Sequence, residues 1–242
     1  MATEFNQEQF DSIYPNGIEN HYWNRARNIL LKNILKKTGA VKNILEVGCG
    51  KGIVTEYLLN NGFGINGIEL AEVPINDNLK NYIKSGMNVF ELCDEESRYI
   101  ETVLLLDVIE HLENPETFIT GLIDKFPRLE RFIITVPACN ELFSNYDEFN
   151  GHYRRYDKEM LLNEFKNIKF RKIEVSYFFH LLYLPAKILL NTKGNRSLVI
   201  KAPESFIQKL LHKILAVFFY IEYFLFPSTL KGTSLVIIVE LA

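Results

Sequence analysis

The 242-residue sequence predicts an α/β fold, with a doubly wound, mostly parallel sheet of seven strands covered by helices. Two observations lead to this prediction. Short apolar runs alternate with segments of helical periodicity, which is typical of βαβ units. The apolar run at residues 44–47 also leads into a turn with glycine at every second position, Gly48, Gly50 and Gly52, and a helical pattern follows. A strand, a tight turn and a helix start in this order favour a ligand over the turn.

Composition indicates a folded chain with one main domain. Apolar residues make up 48% and aromatic residues 13%, which is enough to bury a sizeable core. The length favours one domain with an elaboration over two equal domains. The three cysteines are widely spaced, which argues against a disulfide framework or a CxxC metal site, and no metal ligands are predicted. The polar N-terminus lacks the apolar core of a signal peptide, so a cytoplasmic location is expected.

The first half of the chain is expected to contain three helices and three strands after an irregular or partly ordered arm at residues 1–19. The first helix follows from aromatic and apolar side chains at helical spacing, and Thr38 and Gly39 end it. The predicted elements are a helix at 20–37, a strand at 43–48, a helix to residue 59, a strand at 64–69, a helix to about residue 85 and a strand at 88–92.

The second half begins with a continuous apolar run at residues 102–106, which predicts a central strand buried on both faces. Pro115 then opens a helix at a position where proline is tolerated. The later predicted elements are a strand at 132–136, a short helix at 157–165 and strands at 169–178 and 234–241. The expected organisation is an arm at 1–19, a core at 20–179 and 232–242, and an inserted segment at 180–231.

The glycine turn and the acid at the end of the second strand, Glu69, predict a nucleotide-like ligand. The turn presents backbone N–H groups and the positive end of a helix dipole, and its glycines let a ligand approach the backbone. A carboxylate at the end of the second strand can accept hydrogen bonds from both ribose hydroxyls. Such an acid fits any cofactor that contains adenosine, and the glycine spacing is GxGxG where a dinucleotide-binding turn has GxGxxG.

Four features in this order resemble the class I S-adenosylmethionine (SAM)-dependent methyltransferases: residues 45–52, Glu69, Asp94 and residues 106–112. The resemblance covers roughly residues 20–178 and the last strand. It implies a Rossmann-like sheet that ends in an antiparallel strand pair, SAM as the cofactor, and methyl transfer as the activity. In that family the glycine turn approaches the methionine part of SAM, the acid of the second strand holds the ribose, and a residue after the third strand contacts adenine.

The cofactor site is expected to draw on the helix at 20–37 as well as on these motifs. Arg27 is a candidate partner for the SAM carboxylate, since a guanidinium suits that group. The alternative is a surface arginine on an amphipathic helix. The residues assigned to the cofactor are Trp23, Arg27, Glu46, Gly48, Cys49, Gly50, Gly52, Glu69, Leu70, Asp94, Leu106, Asp107 and Val108.

Two histidines are candidates for the general base that a hydroxyl acceptor would need. His111 lies just past the fourth strand, and the alternative is that it caps or packs that turn. His152 lies in a polar loop after the fifth strand. This loop and residues 21–27 are similar to a bacterial subgroup of the family, and the alternative is a solvated surface loop. The residues assigned to the acceptor are Asp147, Tyr153, Arg154, Arg155 and Tyr156.

The inserted segment at 180–231 is apolar, aromatic and basic, with seven Lys or Arg and two acids, net +5, whereas the rest of the chain carries −8. Contact with an anionic membrane surface, a lid over the acceptor and a homodimer interface all fit this composition. The expected function is in-line methyl transfer, at oxygen, to a small or lipid-linked acceptor. A non-catalytic SAM-binding scaffold and, less favoured, a nicotinamide-dependent oxidoreductase are the alternatives. No nucleic acid partner is expected, because the core is acidic.

Overall fold

The computed structural model describes residues 7–242, without the side chains of residues 7 and 11. In this part of the chain nine α-helices surround one seven-stranded sheet. The strands are β1 (Ile44–Val47), β2 (Ile65–Glu69), β3 (Ile83–Ser85), β4 (Thr102–Leu106), β5 (Arg131–Pro137), β6 (Phe170–Phe178) and β7 (Ser234–Leu241). The helices are α1 (Gln7–Ile13), α2 (Tyr22–Lys37), α3 (Ile53–Leu59), α4 (Asp94–Ser97), α5 (Pro115–Lys125), α6 (Asn145–Phe149), α7 (Lys158–Asn163), α8 (His180–Lys193) and α9 (Phe206–Leu225).

The strand order is β3-β2-β1-β4-β5-β7-β6. Strands β1 to β5 are parallel, and β7 runs antiparallel to both of its neighbours, β5 and β6. This confirms the predicted doubly wound, Rossmann-like sheet with an antiparallel last strand. The chain winds outward in opposite directions from β1 and β4, which lie side by side. Their carboxyl ends therefore form the switch point at which open α/β sheets bind ligands.

Strand β4 shows why the sheet lies at the centre of the fold. All five of its residues are buried. Val103 and Leu105 belong to the hydrophobic core on one face of the sheet, and Leu104 and Leu106 belong to the core on the other face. Successive side chains of a strand point to opposite faces, so a strand covered on both sides needs a continuous apolar run. This is the pattern that the sequence displays at residues 102–106.

The predictions between β2 and β4 were wrong. No α-helix forms at residues 70–85; Pro74 lies in this stretch, which contains only a short 3-10 turn before the three residues of β3. The strand expected at 88–92 is instead a 3-10 turn, Val89–Glu91. The Asn88 side chain accepts a hydrogen bond from the backbone N–H of Phe90 at 3.1 Å and so caps this turn. Strand β3 consequently ends earlier than expected.

The described part of the N-terminal arm contains a helix. Residues 1–6 of the expected arm lie outside the described residues, whereas residues 7–13 form α1. Phe10 is buried and packs with Ala71 and Val73 beyond the end of β2. This contact brings the N-terminal segment over the carboxyl edge of the sheet, next to the predicted cofactor site.

The insertion between β6 and β7 consists of α8 and α9, as the fold prediction required. Helix α9 packs along α2, with the rings of Tyr22 and Phe219 stacked at 5.3 Å. Buried Glu222 of α9 accepts hydrogen bonds from the backbone N–H groups of His180 and Leu181 at 2.6 and 3.1 Å, and it thereby fixes the start of α8. None of the helices in the described part of the chain has the length and apolarity needed to cross a bilayer.

Candidate active site

A cavity of about 1360 Å³ opens at the carboxyl edge of the sheet. Its walls come from α1, α2, the glycine turn after β1, the ends of β2 and β4, the loop after β5, and α8. These segments are far apart in the sequence and meet because parallel strands end at the same edge. The cavity is large enough for a nucleotide-sized ligand and a second molecule beside it.

The glycine turn is tightly packed on both sides. Gly48 has φ +75°, and a Cβ at this position would lie 2.8 Å from a methyl carbon of Val108, in the loop after β4. Gly50 has φ +54°, and a Cβ there would overlap the hydroxyl group of Tyr14. Glycine is therefore required at both positions by backbone conformation and by space.

Glu69 ties the end of β2 to the glycine turn. One carboxylate oxygen accepts a hydrogen bond from the backbone N–H of Gly50 at 2.7 Å, and the other accepts from that of Ala71 at 3.1 Å. The Tyr14 ring lies nearby, and burial together with the charge of Glu69 raises the pKa of its hydroxyl. Glu69 also lines the cavity, which is where the sequence placed it.

Glu46 of β1 is buried beneath the turn. Its carboxylate accepts a hydrogen bond from the hydroxyl of Thr55 in α3 at 2.5 Å. Burial raises the pKa of Glu46 to about 7, and the bond from Thr55 opposes the shift. The side chain lines the cavity and braces β1 against α3.

Arg27 and Asp107 form an ion pair across the cavity wall. The Arg27 guanidinium also lies 4.4 Å from the centre of the Trp23 ring, a cation–π distance. Asp107 has φ +57°, and the Thr135 hydroxyl donates to its carboxylate at 3.4 Å. Burial raises the pKa of Asp107, and the Arg27 charge opposes the rise. Backbone strain of this kind is concentrated at functional sites.

At the other end of the cavity, Asp147 organises the loop after β5. Its carboxylate contacts Nδ1 of His152 at 2.9 Å and accepts from Nε of Arg155 at 2.8 Å, from the backbone N–H of Ser144 at 2.9 Å and from the Ser144 hydroxyl at 3.0 Å. Burial opposes ionisation, yet the bond to His152 and the charge of Arg155 lower the pKa of Asp147 to about 2. Asp147 is therefore ionised and fixes the His152 ring.

His111 and Glu110 complete this end of the cavity. The rings of His111 and His152 lie edge to face, 4.6 Å apart between centres. Burial, with a smaller effect of His152, lowers the pKa of His111 to about 3, so its imidazole is neutral. Glu110 is fully buried, and neither of its carboxyl oxygens has a hydrogen-bond partner among the described residues. Burial and the nearby Asp107 raise its pKa well above the usual range.

Most of the predicted site residues line this cavity, at its two ends. The residues predicted for the cofactor that line it are Trp23, Arg27, Glu46, Gly48, Cys49, Gly50, Glu69, Leu70, Leu106, Asp107 and Val108, and the other predicted site residues that line it are His111, His152 and Arg155. The described cavity lining does not include Gly52, Asp94, Asp147, Tyr153, Arg154 or Tyr156.

The structure places Asp94 outside the described lining of the cavity. Its carboxylate is fully exposed and lies 3.9 Å from Nζ of Lys125. Because β3 ends at Ser85, the segment that reaches the cavity after this strand is residues 87–90, and Asp94 falls beyond it. Gly52 also has a different role: it precedes α3, and a Cβ there would overlap the Ile83 side chain.

Four of the residues assigned to the acceptor lie outside the described cavity lining as well. Asp147 contacts His152 and Arg155, and Tyr156 is buried in the core. Arg154 donates to the backbone carbonyls of Leu112 and Glu113, while Tyr153 is exposed. Side chains in this loop alternate between supporting the fold and facing the cavity, which their polarity alone could not reveal.

Several residues at the cavity were not predicted. Tyr14 packs against the glycine turn. The guanidinium of Arg196 lies 4.3 Å from the centre of the Tyr146 ring, a cation–π distance. Apolar side chains of α8 form part of the wall: Leu182, Pro185, Ala186, Leu189 and Leu190. The apolar composition of the insertion was the available signal for α8, whereas nothing local in the sequence marked Tyr14.

Comparison with known proteins gives partial matches to curated relatives. The chain is 31% identical to the ubiquinone biosynthesis O-methyltransferase of Dechloromonas aromatica (strain RCB) over 89 residues, which are 34% of this chain and 38% of that protein. The protein of the same name from Pseudomonas fluorescens (strain Pf0-1) is 31% identical over 87 residues, 33% of this chain and 38% of that protein. The match thus spans less than half the length of these relatives.

Solved structures share the fold at low identity. Phosphoethanolamine N-methyltransferase 2 of Haemonchus contortus, solved with SAM, has a TM-score of 0.54 at 16% identity, over 97% of this chain and 56% of that one. The plantazolicin methyltransferase BamL, solved with S-adenosylhomocysteine, has a TM-score of 0.52 at 14% identity, over 96% and 88% of the two chains. The family model described as a methyltransferase domain matches residues 20–175. The chain therefore belongs to the methyltransferase domain family, and it shares the fold of these solved methyltransferases.

Proposed function

We propose that this chain transfers the methyl group of SAM to an oxygen atom of a small or lipid-linked acceptor. The observation that carries the proposal is the imidazole pair, His111 and His152, at the end of the cavity away from the glycine turn. A hydroxyl must lose its proton as it becomes the nucleophile, whereas a neutral amine attacks with its lone pair. Imidazoles that are held in place by a carboxylate suit the removal of that proton.

The cofactor end of the cavity fits SAM. Glu69 would hold the ribose, residues 87–90 lie where the adenine would be enclosed, and the opposite charges of Arg27 and Asp107 complement the carboxylate and ammonium of the methionine part. The glycine turn leaves no Cβ between these groups and the backbone. When bound, SAM supplies a methyl group that is activated by its sulfonium. The chain must then hold the acceptor oxygen in line with this methyl group, which supplies much of the rate.

The acceptor end is polar on one side and apolar on the other. His111, His152 and Arg155 line the same cavity as the apolar side chains of α8. This arrangement favours an acceptor with a hydroxyl group on an apolar body. The relatives named for ubiquinone biosynthesis are O-methyltransferases, and their similarity supports methylation at oxygen.

The outward face of the insertion supports contact with a membrane surface. Apolar side chains project from it without cover in the described part of the chain: Leu184, Ile188, Phe206, Ile207, Leu210, Leu211, Ile214, Val217, Phe218, Ile221, Phe224 and Leu225. The side chain of Phe206, for example, is 80% exposed, so these apolar residues form an exposed surface. Exposed Lys187, Lys209 and Lys213 accompany it, and the segment carries net +5. An anionic lipid surface complements both properties.

The methyl transfer is tested with purified protein and SAM. Calorimetry should show SAM binding, and formation of S-adenosylhomocysteine should require a hydroxyl compound, with the new methyl group found on oxygen by NMR. His152→Gln should lower kcat by about 10²-fold or more, while SAM affinity is retained. Transfer to nitrogen, or an unchanged kcat in His152→Gln, would contradict methylation at oxygen by this pair.

The membrane contact is tested by sedimentation with vesicles. Binding should be stronger to vesicles with anionic lipids than to neutral ones and should fall as salt increases. Ile207→Glu should weaken it, whereas Val41→Glu, at an exposed apolar residue next to β1, should not. A concentration-dependent dimer that buries the face and leaves no vesicle binding would favour the homodimer alternative instead.

A further inference from the structure

Three side chains at the acceptor end have the chemistry of metal ligands. Glu110, His111 and His152 each offer one ligand atom, and these atoms lie within 4.8 Å of one another. All three residues line the cavity. Ligand atoms about 2.1 Å from a shared ion are at most about 4.2 Å apart, so a small inward movement would bring the set onto one cation.

Glu110 gives the strongest indication. Its side chain is completely buried, and both carboxyl oxygens lack a partner among the described residues. Buried carboxyl groups in proteins are hydrogen-bonded, paired with a cation or bound to a metal. The nearest guanidinium of the loop, Arg155, is already committed to Asp147 and to the backbone carbonyl of Ala138. Glu110 thus faces the cavity with its coordinating capacity unused.

Asp147 prepares His152 for the same task. Because Nδ1 of His152 faces the Asp147 carboxylate at 2.9 Å, Nε2 is the nitrogen left for another partner. Metal-bound histidines characteristically hold a carboxylate or carbonyl at their second nitrogen, which fixes the ring and the tautomer. Asp147 is itself fixed by Ser144 and Arg155, so the ring is rigidly placed.

We propose that Glu110, His111 and His152 bind one divalent first-row transition cation, with coordination positions open toward the acceptor. Two imidazoles and one carboxylate suit Mn²⁺, Fe²⁺, Co²⁺ or Zn²⁺ better than Mg²⁺ or Ca²⁺, which prefer oxygen ligands. The use of the cation rests on the proposed function of this cavity. An acceptor hydroxyl that coordinates the ion loses its proton to solvent water, and its oxygen then forms the bond to the methyl carbon as the carbon–sulfur bond breaks toward sulfur. The imidazoles serve as ligands in this step.

A second group with possible ligands provides a control. Cys139, Glu141 and Asp157 also lie close together. Glu141, however, accepts from Lys231 at 2.5 Å and from the Tyr183 hydroxyl at 2.9 Å, so its carboxylate is satisfied. Glu141→Gln therefore removes a carboxylate from the competing group and leaves the proposed site intact.

The test is a titration of the full chain with Co²⁺ after treatment with a chelator, followed by visible absorption. The wild-type chain should bind one Co²⁺ with a band from nitrogen and oxygen ligands. Glu110→Gln, which keeps the size of the side chain, should weaken binding by about tenfold or more, and His152→Gln should act in the same direction. Glu141→Gln should bind as the wild type does, and circular dichroism checks that each variant is folded.

Wild-type affinity in a folded Glu110→Gln variant would overturn the proposal, as would no spectral change in the wild type up to about 1 mM Co²⁺. Calorimetry with SAM on the chelated protein separates this outcome from the proposed function. Binding of SAM without any binding of Co²⁺ would refute the cation site alone and leave the imidazoles as direct bases. Binding of Co²⁺ without any binding of SAM would refute the proposed methyl transfer and retain the cation site.

Discussion

Replacement of Asp147 by asparagine should destabilise the chain and loosen His152. The carboxylate accepts from Arg155, from two groups of Ser144, and from Nδ1–H of His152. An asparagine has one acceptor oxygen and one NH₂ group in the same space. In either orientation of the amide, its NH₂ group points at hydrogen-bond donors. Either the two donors of Ser144 or the donors of Arg155 and His152 therefore lose their acceptor.

The size of the effect follows from the pKa of Asp147. A fall from 3.8 to about 2 corresponds to about 2 kcal/mol of preference for the charged form in the folded state. Asparagine also leaves the buried guanidinium of Arg155 without its counter-ion, and broken buried pairs cost about 3–5 kcal/mol. We therefore expect Asp147→Asn to lower the free energy of unfolding by about 3–5 kcal/mol at pH 7.

The assay is urea unfolding of the wild type and the variant at several pH values. The pKa of Asp147 is lower in the folded chain than in the unfolded chain, so its contribution is present above about pH 4 and is lost as pH falls toward 2. The difference between the two proteins should narrow over that range. Glu148→Gln, at an exposed residue of the same helix, should change stability by less than about 0.5 kcal/mol.

Two results would refute this reasoning. The first is a loss below about 1 kcal/mol at pH 7, which would mean that the buried carboxylate is not the partner on which Arg155 depends. The second is a difference that stays constant from pH 5 to pH 2, since asparagine does not titrate. A kinetic readout is independent of both: Asp147→Asn should lower kcat while SAM affinity is retained, because Asp147 acts through His152 at the acceptor end.

Three further predictions concern the cofactor end and the sheet. Burial raises the pKa of Glu46 to about 7, so its contribution to the free energy of unfolding is present below about pH 4.5 and is lost as pH rises through 7. The wild type should therefore lose about 3 kcal/mol of stability over this range, and denaturation curves of Glu46→Gln should not show this loss. Arg27→Met leaves Asp107 without its cation and should cost about 1–3 kcal/mol in urea unfolding at pH 8. The cost should shrink as pH falls, because burial raises the pKa of Asp107 and the neutral carboxyl group does not need the cation. Gly232→Ala would place a Cβ against the backbone carbonyl oxygen of Phe178, so calorimetry should show a loss of about 1–3 kcal/mol; an unchanged melting temperature would contradict that close approach.

The geometry of the glycine turn and of Glu69 could be predicted from sequence because its signals are local. Gly48 and Gly50 lie directly after β1, and their positive φ angles are a property of the turn itself. Glu69 ends β2, which is the parallel neighbour of β1, so its position follows once both strands are recognised. Each step needs only one strand and the residue after it.

The region after β2 could not be predicted in this way. Strand β3 has three residues and one neighbour, β2, so it leaves almost no periodic pattern. A strand was predicted at 88–92, yet the buried residue Val89 lies in a 3-10 turn and the buried residue Leu92 directly follows it. The assignment of Asp94 depended on a strand at 88–92, which the structure does not contain.

The acceptor end differs in kind, because it is made by tertiary contacts between distant segments. Residues 110–111 follow β4, residues 146–155 follow β5, and α8 comes from the insertion. Asp147 and Arg155 were assigned to the acceptor from their polarity, and their burial as an ion pair is visible only in the folded chain. Residues that bind the acceptor therefore cannot be inferred from charge alone, whereas residues that brace them can be recognised by burial.

Helix α8 connects the two proposals about the acceptor. Leu182, Ala186 and Leu189 line the cavity, while Leu184 and Ile188 project outward from the same helix. A helix that faced only an internal ligand would need no outward apolar residues, and one that served only as a surface anchor would not need to line the cavity. An acceptor with an apolar body, taken up at a lipid surface and presented to the imidazole pair along α8, accounts for both faces of this helix.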